Sequence, residues 1–382
     1  MTSAETPAGD SACPDCMRRS WLLSALSVLL EYQCHDRGRL TDLLSLGDEE
    51  LLQAVGGRRR DELRDAHARF RPADAHGTRD SHAVCRHSRA YPPGLRGPGA
   101  PSMLNVAGGL ERLTELTSAP TVAIVGSDRA TDYGIEMAKS IARGLAAGGV
   151  TVVGGLTDGI ALAAQQGALE VEAGTVAVMA GGLDVACPAR RRSLYERIRR
   201  YGCAVTELPF GCQPRRWSRA ASERILARLA ELTVVVEARD SPGELAGARL
   251  ARILGRPVAA VPGRVTSPTS GGAHLLLMEG AHLVRGPADA LELLCGVGRP
   301  CAAASRGGPM HLEPRLQTTL DLVGAGHDTP EKLIGEGGES GELLLALSEL
   351  ELLGLLARGD GGRYVPRECS SSERLALREH NR

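Results

Sequence analysis

The middle of the chain alternates short apolar runs with longer amphipathic stretches. Six runs rich in Val and Ala are apolar on both faces, as expected of parallel strands that helices cover on both sides of a sheet. Helical stretches separate most of them, which is the rhythm of repeated β-α-β units. The predicted strands are 121–126, 150–154, 174–180, 203–207, 232–237 and 257–261. This pattern predicts an α/β fold with a doubly wound parallel sheet.

A helical pattern precedes this region. Apolar residues recur at helical spacing over 17–33, and 40–57 predicts two short helices that are broken at Leu46-Gly47. Asp48 is the candidate N-cap of the second short helix, because aspartate is a preferred N-cap residue. Short helices with glycine turns predict a small helical module of the SAM or helix-hairpin-helix kind.

A second helical pattern follows the strands. It reads as helices over 312–323, from Thr329-Pro330 and over 341–354, and then as a hairpin that ends near 363–365. This order resembles a winged helix. The helix over 341–354 carries three glutamates and no basic residue. Because a DNA-reading helix presents Arg or Lys, a protein contact or a structural role is the better interpretation of it.

These patterns divide the chain into seven segments. They are a disordered tail at 1–12, a helical SAM-like domain at 13–70, a linker at 71–90, an α/β core at 91–295, a linker at 296–311, a winged-helix-like domain at 312–366 and a flexible tail at 367–382.

Composition narrows the class of protein. A net charge of −1 over 382 residues excludes a globally basic nucleic-acid coat, and 3% aromatic residues argues against an aromatic-platform binder of single strands. The start lacks the basic and apolar regions of a signal peptide, and the apolar stretch over 21–30 is too short to span a bilayer. Ten scattered cysteines without a paired framework are typical of reduced thiols. We therefore expect a cytoplasmic protein with no membrane association.

Two glycine turns follow predicted strands and form the candidate anion site. Gly126-Ser127 follows the first strand, and Gly154-Gly155 follows the second and leads into Asp158-Gly159. Backbone N–H groups and the helix dipole at such turns favour anions, and a serine can add a hydroxyl. Tightly packed turns that hold no ligand explain the same residues about as well, since this is not a G-x-G-x-x-G fingerprint.

Arginines cluster after residue 189. One cluster spans 190–200, and a second includes Arg224 and Arg228, which share a helix face. Such a face could follow a nucleic-acid backbone. A solvated arginine face is the alternative.

The N-terminal cysteines offer ligand types for zinc. Cys13 and Cys16 form a C-x-x-C pair, and Cys34-His35 is the candidate second pair, although adjacent residues suit a tetrahedron poorly. A His- and Cys-rich stretch gives a weaker candidate, with His76, His82, Cys85 and His87. No nucleophile with an activating base is evident, because the G-x-S-x-G, H-E-x-x-H and Walker A motifs are missing.

The most specific pattern in the chain is a set of ordered motifs over 91–285. They are Tyr91-Pro92 with Leu95, Pro101 and Leu104 before Gly108, AIVGS…YG at 123–134, VVGGL..GI at 152–160 with Ala168-Leu169, GLDV at 182–185 with Pro188, TELP.G at 206–211, ERILARLA at 223–230, VVVEA at 234–238, GRPVAAVPG at 255–263 and EGAHLV at 279–284. Taken together, these motifs resemble the DprA/Smf family of DNA-processing proteins, and the helical flanks agree with this family as well.

The resemblance implies an extended Rossmann-like fold, single-stranded DNA as ligand, a homodimer and loading of RecA recombinase onto incoming strands. It implies no catalysis and no cofactor. The DNA- or phosphate-binding residues carried over by position are Gly126, Ser127, Arg129, Gly155, Gly159 and Arg224.

Several pocket positions depart from the family pattern. Asp128 and Asp158 stand where the family has arginine, the Arg-Asn-Arg triplet reads Ser222-Glu223-Arg224, and Glu244 replaces a hydroxyl residue. Each exchange of a cation for an anion should reduce counterion release and non-specific DNA affinity. A degenerate paralogue that binds a protein partner or a small nucleotide is therefore an alternative. A nucleoside-monophosphate phosphoribohydrolase is a further one, but 180–184 and 262–264 lack the Thr and Glu of its signature.

Overall fold

A nine-stranded sheet organises the centre of the molecule. The computed structural model describes residues 12–33, 37–72, 81–97, 99–185, 189–296, 313–334, 340–352, 355–359 and 362–366. The strands of the sheet are β1 (Ser81–Cys85), β2 (Met103–Ala107), β3 (Thr121–Val125), β4 (Thr151–Gly155), β5 (Thr175–Val178), β6 (Cys203–Thr206), β7 (Leu232–Val235), β8 (Val258–Ala260) and β9 (His282–Leu283).

Their spatial order is β1-β2-β6-β5-β4-β3-β7-β8-β9. The seven strands from β6 to β9 in this order are parallel, and β1 and β2 extend one edge in antiparallel pairing. The strand order reverses between β3 and β7, which is the topological switch point of a doubly wound sheet. The predicted fold class is confirmed.

Helices cover both faces of the sheet. They are α6 (Leu110–Ser118), α7 (Asp132–Ala147), α8 (Ile160–Glu170), α9 (Ala189–Tyr201), α10 (Arg216–Leu229), α11 (Pro242–Ile253), α12 (Gly271–Met278) and α13 (Pro287–Cys295). Successive residues of a strand point to opposite faces of the sheet and pack in different hydrophobic cores. Val152 packs in one core with residues of α7 and α8, and its neighbour Val153 packs in another with residues of α10.

The six predicted strands are all present as β3 to β8, with small differences at their ends. β1 was not expected, since it lies in the segment that the sequence places in a linker at 71–90. Instead, residues 81–85 pair along their whole length with β2. The tail at 1–12 and the linker at 296–311 lie almost wholly, and the tail at 367–382 wholly, outside the described residues.

Five helices precede the sheet: α1 (Pro14–Ala25), α2 (Ser27–Gln33), α3 (Arg37–Ser45), α4 (Asp48–Val55) and α5 (Arg60–Arg69). Gly47, rather than the expected Asp48, is the N-cap of α4. Leucines of these helices share one hydrophobic core with Trp217 and Ala221 of α10. The Trp217 indole N–H donates to Ser27 Oγ at 3.0 Å, so this helical region packs directly on the α/β core. Its SAM-like character stays a prediction.

The C-terminal region contains α14 (Pro314–Gly324), α15 (Pro330–Ile334), α16 (Ser340–Leu352) and an antiparallel hairpin of β10 (Leu356–Arg358) and β11 (Tyr364–Pro366). A buried ion pair between Arg143 of α7 and Asp328, 3.3 Å apart, joins it to the core. The winged-helix-like interpretation stays a prediction. The expectation of reduced thiols does not hold for Cys295, which is disulfide-bonded.

None of the helices in the described part of the chain has the length and apolar character needed to cross a membrane.

Candidate nucleic-acid interface

A cleft of about 450 Å³ opens at the carboxyl ends of the strands beside the switch point. Ligands of doubly wound proteins bind at this position in the sheet. Six glycines line the cleft: Gly126, Gly155, Gly181, Gly182, Gly243 and Gly247. At Gly155 and Gly247 an added Cβ would meet no atom closer than 3.8 Å, so the backbone there is open to close approach by a ligand. At Gly126, Gly181 and Gly182 it would lie 3.0 Å or less from protein atoms, so these three glycines serve close packing.

The first turn, after β3, packs against the strand end of β7. The Ser127 N–H donates to the Glu237 carbonyl at 2.6 Å. A Cβ at Gly126 would lie 2.4 Å from that same oxygen, so the turn requires glycine there. Ser127 is buried, and its hydroxyl accepts a hydrogen bond from the Arg129 N–H at 3.2 Å. The hydroxyl predicted to contact phosphate therefore stabilises its own turn.

The second turn, after β4, is fixed against the first. The Ile160 N–H donates to the Ser127 carbonyl at 3.1 Å. Gly159 has a φ of +74°, and a Cβ on it would lie 2.2 Å from the same carbonyl oxygen. Gly155 differs, since its nearest neighbours would be 3.9 Å or more from an added Cβ. Gly126 and Gly159 thus hold the two turns together, whereas Gly155 faces the open cleft.

A buried carboxylate supports the first turn from β7. Glu237 accepts hydrogen bonds from the Thr131 N–H at 2.8 Å and the Thr131 hydroxyl at 2.7 Å. Burial and this carboxylate raise the pKa of Tyr133, whose hydroxyl donates to the Pro262 carbonyl at 2.9 Å. The sequence motif at 234–238 includes Glu237 but assigns it no role. A carboxylate directly after a buried strand is the signal that could have singled it out.

The side chains of the cleft wall do not form a positive surface. Among the described lining residues, Arg191 and Arg219 carry positive charge, and Asp128, Glu223 and Glu244 carry negative charge. Arg191 binds the Asp158 carboxylate with two hydrogen bonds, at 3.0 and 3.1 Å. Arg191 of α9 thus brings a guanidinium beside position 158, where the family resemblance leads us to expect an arginine, but the Arg191 charge is already paired with Asp158.

Arg224 does not line the cleft. Its guanidinium is buried, where it donates to the Glu207 carboxylate and, at 2.6 Å, to the Gly99 carbonyl. Arg228 lies near the same loop, and burial together with the Arg224 charge lowers its pKa. The shared face of Arg224 and Arg228 therefore packs against the loop that contains Gly97 and Gly99, with Arg224 buried and Arg228 partly buried. Arg219 and Ser222, on another face of α10, reach the cleft.

The remaining predicted residues divide between the cleft and its surroundings. Gly126 and Gly155 line it, Ser127 and Gly159 support it, and Arg129 is exposed outside the lining. For the zinc hypothesis, Cys34 and His35 lie outside the described residues. The structure instead brings Cys85 and His87 to Cys13 and Cys16.

The fold and the cleft are those of a Rossmann-like protein with a candidate ligand site at the switch point of its sheet. The family model described as DNA recombination-mediator protein A matches residues 82–295. The chain belongs to this family, and the DprA/Smf resemblance is confirmed.

Individual relatives agree. The putative DNA processing protein DprA of Mycobacterium tuberculosis is 39% identical over 257 residues, which cover 66% of each chain. Protein Smf of Escherichia coli is 33% identical over 292 residues, 74% of this chain and 77% of the relative. The X-ray structure of DprA from Streptococcus pneumoniae superposes with a TM-score of 0.59 at 26% identity, covering 74% of this chain and 99% of that chain.

Proposed function

We propose that this protein is a DNA-processing protein that binds single-stranded DNA across the glycine-lined cleft and catalyses no reaction on it. The observation that carries the proposal is the cleft at the switch point, whose lining includes six glycines. A phosphate can approach the backbone closely where a glycine faces open space, as Gly155 does, and backbone contacts of this kind do not depend on base sequence. Family membership supports DNA as the ligand.

The charges of the cleft predict how the strand is held. Arg219 can contact a phosphate, whereas Asp128, Glu223 and Glu244 oppose one. Few counterions are then released on binding, so affinity should be modest and should fall only gently with salt. Arg129, exposed beside the first turn, extends the proposed contact beyond the lining.

Anisotropy of a labelled poly-dT oligonucleotide, titrated at two salt concentrations, tests the proposal. We expect binding with a Kd on the order of micromolar at low salt. Gly155→Val should weaken DNA binding at least several-fold, because a Cβ at this position meets no protein atom closer than 3.9 Å and the new side chain therefore begins in open cleft space. Failure to bind at low salt would refute the DNA proposal.

Arg219→Glu supplies a charge test with a matched control. It should weaken binding, whereas Arg200→Glu should not. Arg200 is also exposed, but it lies in the last turn of α9, just before β6 begins. This is the amino end of a parallel strand, whereas the cleft lies at the carboxyl ends. Equal binding by the Gly155→Val, Arg219→Glu and unchanged proteins would show that DNA uses another surface.

We also infer that the protein acts as a homodimer that loads RecA recombinase onto the bound strand. Family membership is the support for this part. Light scattering on the purified protein measures the dimer, and RecA filament formation on a coated strand, with and without this protein, measures loading. A monomer at all concentrations, or unchanged filament formation, would contradict it.

A small nucleotide is the second candidate ligand. The cleft volume lies within the range of small-molecule sites, roughly 300–1,000 Å³, and the acidic wall does not favour a long polyanion. A competition experiment tests whether single-stranded DNA and a small nucleotide use the same site. Displacement of poly-dT by a mononucleotide at millimolar concentration indicates one shared site. Binding of the mononucleotide by a protein that does not bind poly-dT would favour the small ligand.

A further inference from the structure

Three cysteines and a histidine meet where the N-terminal helices contact the edge of the sheet. Cys13 and Cys16 lie at the start of α1, Cys85 ends β1, and His87 lies in the turn that follows. The four candidate ligand atoms all lie within 4.8 Å of one another. We refer to these residues as the Cys₃His cluster.

The spacing of these atoms matches the edges of a metal tetrahedron. His87 Nδ1 lies 3.3 Å from Cys13 Sγ, 3.6 Å from Cys16 Sγ and 3.8 Å from Cys85 Sγ. With a Zn–S bond of about 2.3 Å and a Zn–N bond of about 2.05 Å, a tetrahedral site has N···S edges of about 3.5 Å. A zinc ion therefore fits among the side chains with only small adjustments.

The backbone around the cluster is arranged to hold the sulfurs. Cys13 is the N-cap of α1 and Pro14 occupies the first turn, so both sulfurs of the C-P-D-C segment lie at one helix end. The Cys13 N–H donates to Cys85 Sγ at 3.4 Å, and such N–H donation stabilises a thiolate. The Ala12 N–H donates to the Ala83 carbonyl at 2.7 Å, which ties the start of the helix to β1.

The surroundings are those of a closed site. Cys16 and Cys85 are buried, Cys13 is partly buried, and Ala12 and Met103 pack against them. Four protein ligands leave no coordination position for a substrate, which distinguishes structural zinc sites from catalytic ones. Three thiolates and one imidazole in a tetrahedron favour zinc over magnesium, calcium or manganese, which prefer oxygen ligands.

We propose that Cys13, Cys16, Cys85 and His87 bind one structural Zn²⁺ ion, which clamps helix α1 to strand β1. On binding, the three thiols release their protons to solvent and coordinate as thiolates, and neutral His87 coordinates through Nδ1. The clamp joins segments that are 69 to 74 residues apart in the chain, because the antiparallel edge strand β1 lies beside the N-terminal helices. This zinc proposal does not depend on which ligand binds in the cleft.

Elemental analysis of the full-length protein tests this proposal. The protein is purified without a histidine tag and in a phosphine reductant, and zinc is measured per chain by mass spectrometry. We expect about one zinc per chain, and loss of most of it in Cys16→Ser, Cys85→Ser and His87→Ala. His82→Ala is the matched control, since His82 is exposed on the same strand, and Cys212→Ser is the cysteine control. Equal zinc in variants and controls would overturn the assignment.

A second measurement on the unmodified chain covers the case in which a variant fails to fold. The metal is removed with a chelator and replaced by Co²⁺. We expect intense tetrahedral d–d bands and thiolate charge-transfer absorption at one equivalent, together with a melting temperature that falls on metal removal and recovers on zinc addition. Octahedral cobalt spectra, a stoichiometry near zero after zinc addition, or iron as the purified metal would each refute a zinc site.

Discussion

Two arginine–carboxylate pairs near the cleft differ in what surrounds them. The side chains of Arg224 and Glu207 are 3% and 5% exposed, whereas those of Arg191 and Asp158 are 18% and 38% exposed. The first pair is enclosed between α10 and its neighbours, and the second lies at the cleft wall. Residue type at a motif position therefore does not decide the surroundings of the side chain. Arg224, which the family resemblance carries over as a DNA contact, is buried against Glu207, and Asp158, where the resemblance leads us to expect an arginine, is paired with Arg191.

The largest expected effect comes from breaking the buried pair. Arg224→Ala leaves the Glu207 carboxylate buried without its main partner, which should lower the free energy of unfolding by about 3–5 kcal/mol. Urea denaturation followed by tryptophan fluorescence measures this change. Arg216→Ala is the control, because Arg216 is exposed on the same helix. A loss of less than about 1 kcal/mol in Arg224→Ala would contradict an enclosed pair.

A third pair, Arg143–Asp328, should make an intermediate contribution to the free energy of unfolding. This contribution should depend on pH. Burial would raise the pKa of Asp328, but the hydrogen bond from Lys332 and the charges of Arg143 and Arg363 lower it below its ordinary value. The stabilisation is therefore fully present above the unfolded pKa, about 3.9, and is lost as pH falls through the lower folded pKa.

Asp328→Asn should consequently cost about 2 kcal/mol at pH 7, and the difference from the unchanged protein should shrink below about pH 4. Thermal unfolding of both proteins across this pH range checks it. A difference that stays constant down to pH 3 would mean that the Asp328 charge does not stabilise the contact with the core.

The smallest stability effect is expected at the partly exposed Arg191–Asp158 pair. Asp158→Asn should change the free energy of unfolding by less than about 1 kcal/mol. It removes the carboxylate charge that neutralises Arg191, while the 2.8 Å hydrogen bond to the Leu156 carbonyl keeps the guanidinium at the cleft wall. The poly-dT affinity should therefore rise, and the slope of log K against log salt should steepen by about 0.7, the value for one single-strand phosphate. Asp61→Asn, which disrupts a remote exposed pair with Arg64, is the control. An unchanged slope would place the strand away from Arg191.

The strands were predictable because their pattern is local. Runs of Val and Ala mark β3 to β8 directly. β1 was not predictable in this way, since an edge strand that reads Ser-His-Ala-Val-Cys has little apolar periodicity. Its pairing with β2 depends on the rest of the sheet.

The cleft was predictable in place but not in detail. Glycines after β3 and β4 located it, because strand ends meet at one edge of a parallel sheet. The Asp158–Arg191 pair joins residues 33 positions apart, and the Cys₃His cluster joins α1 to β1. No spacing rule relates Asp158 to Arg191. The two halves of the Cys₃His cluster were each visible in the sequence, but that they form one site depends on the topology.

The packing of Trp217 on the N-terminal helices also sets an order of events during synthesis. Trp217 and its hydrogen-bond partner Ser27 are 190 residues apart. The ribosome has therefore synthesised the segment of α1 to α5 long before α10 is available to complete its core. Until then the leucines of this segment expose apolar surface, and such surface promotes aggregation and chaperone binding. The core of these helices is thus complete only after α10 has been synthesised.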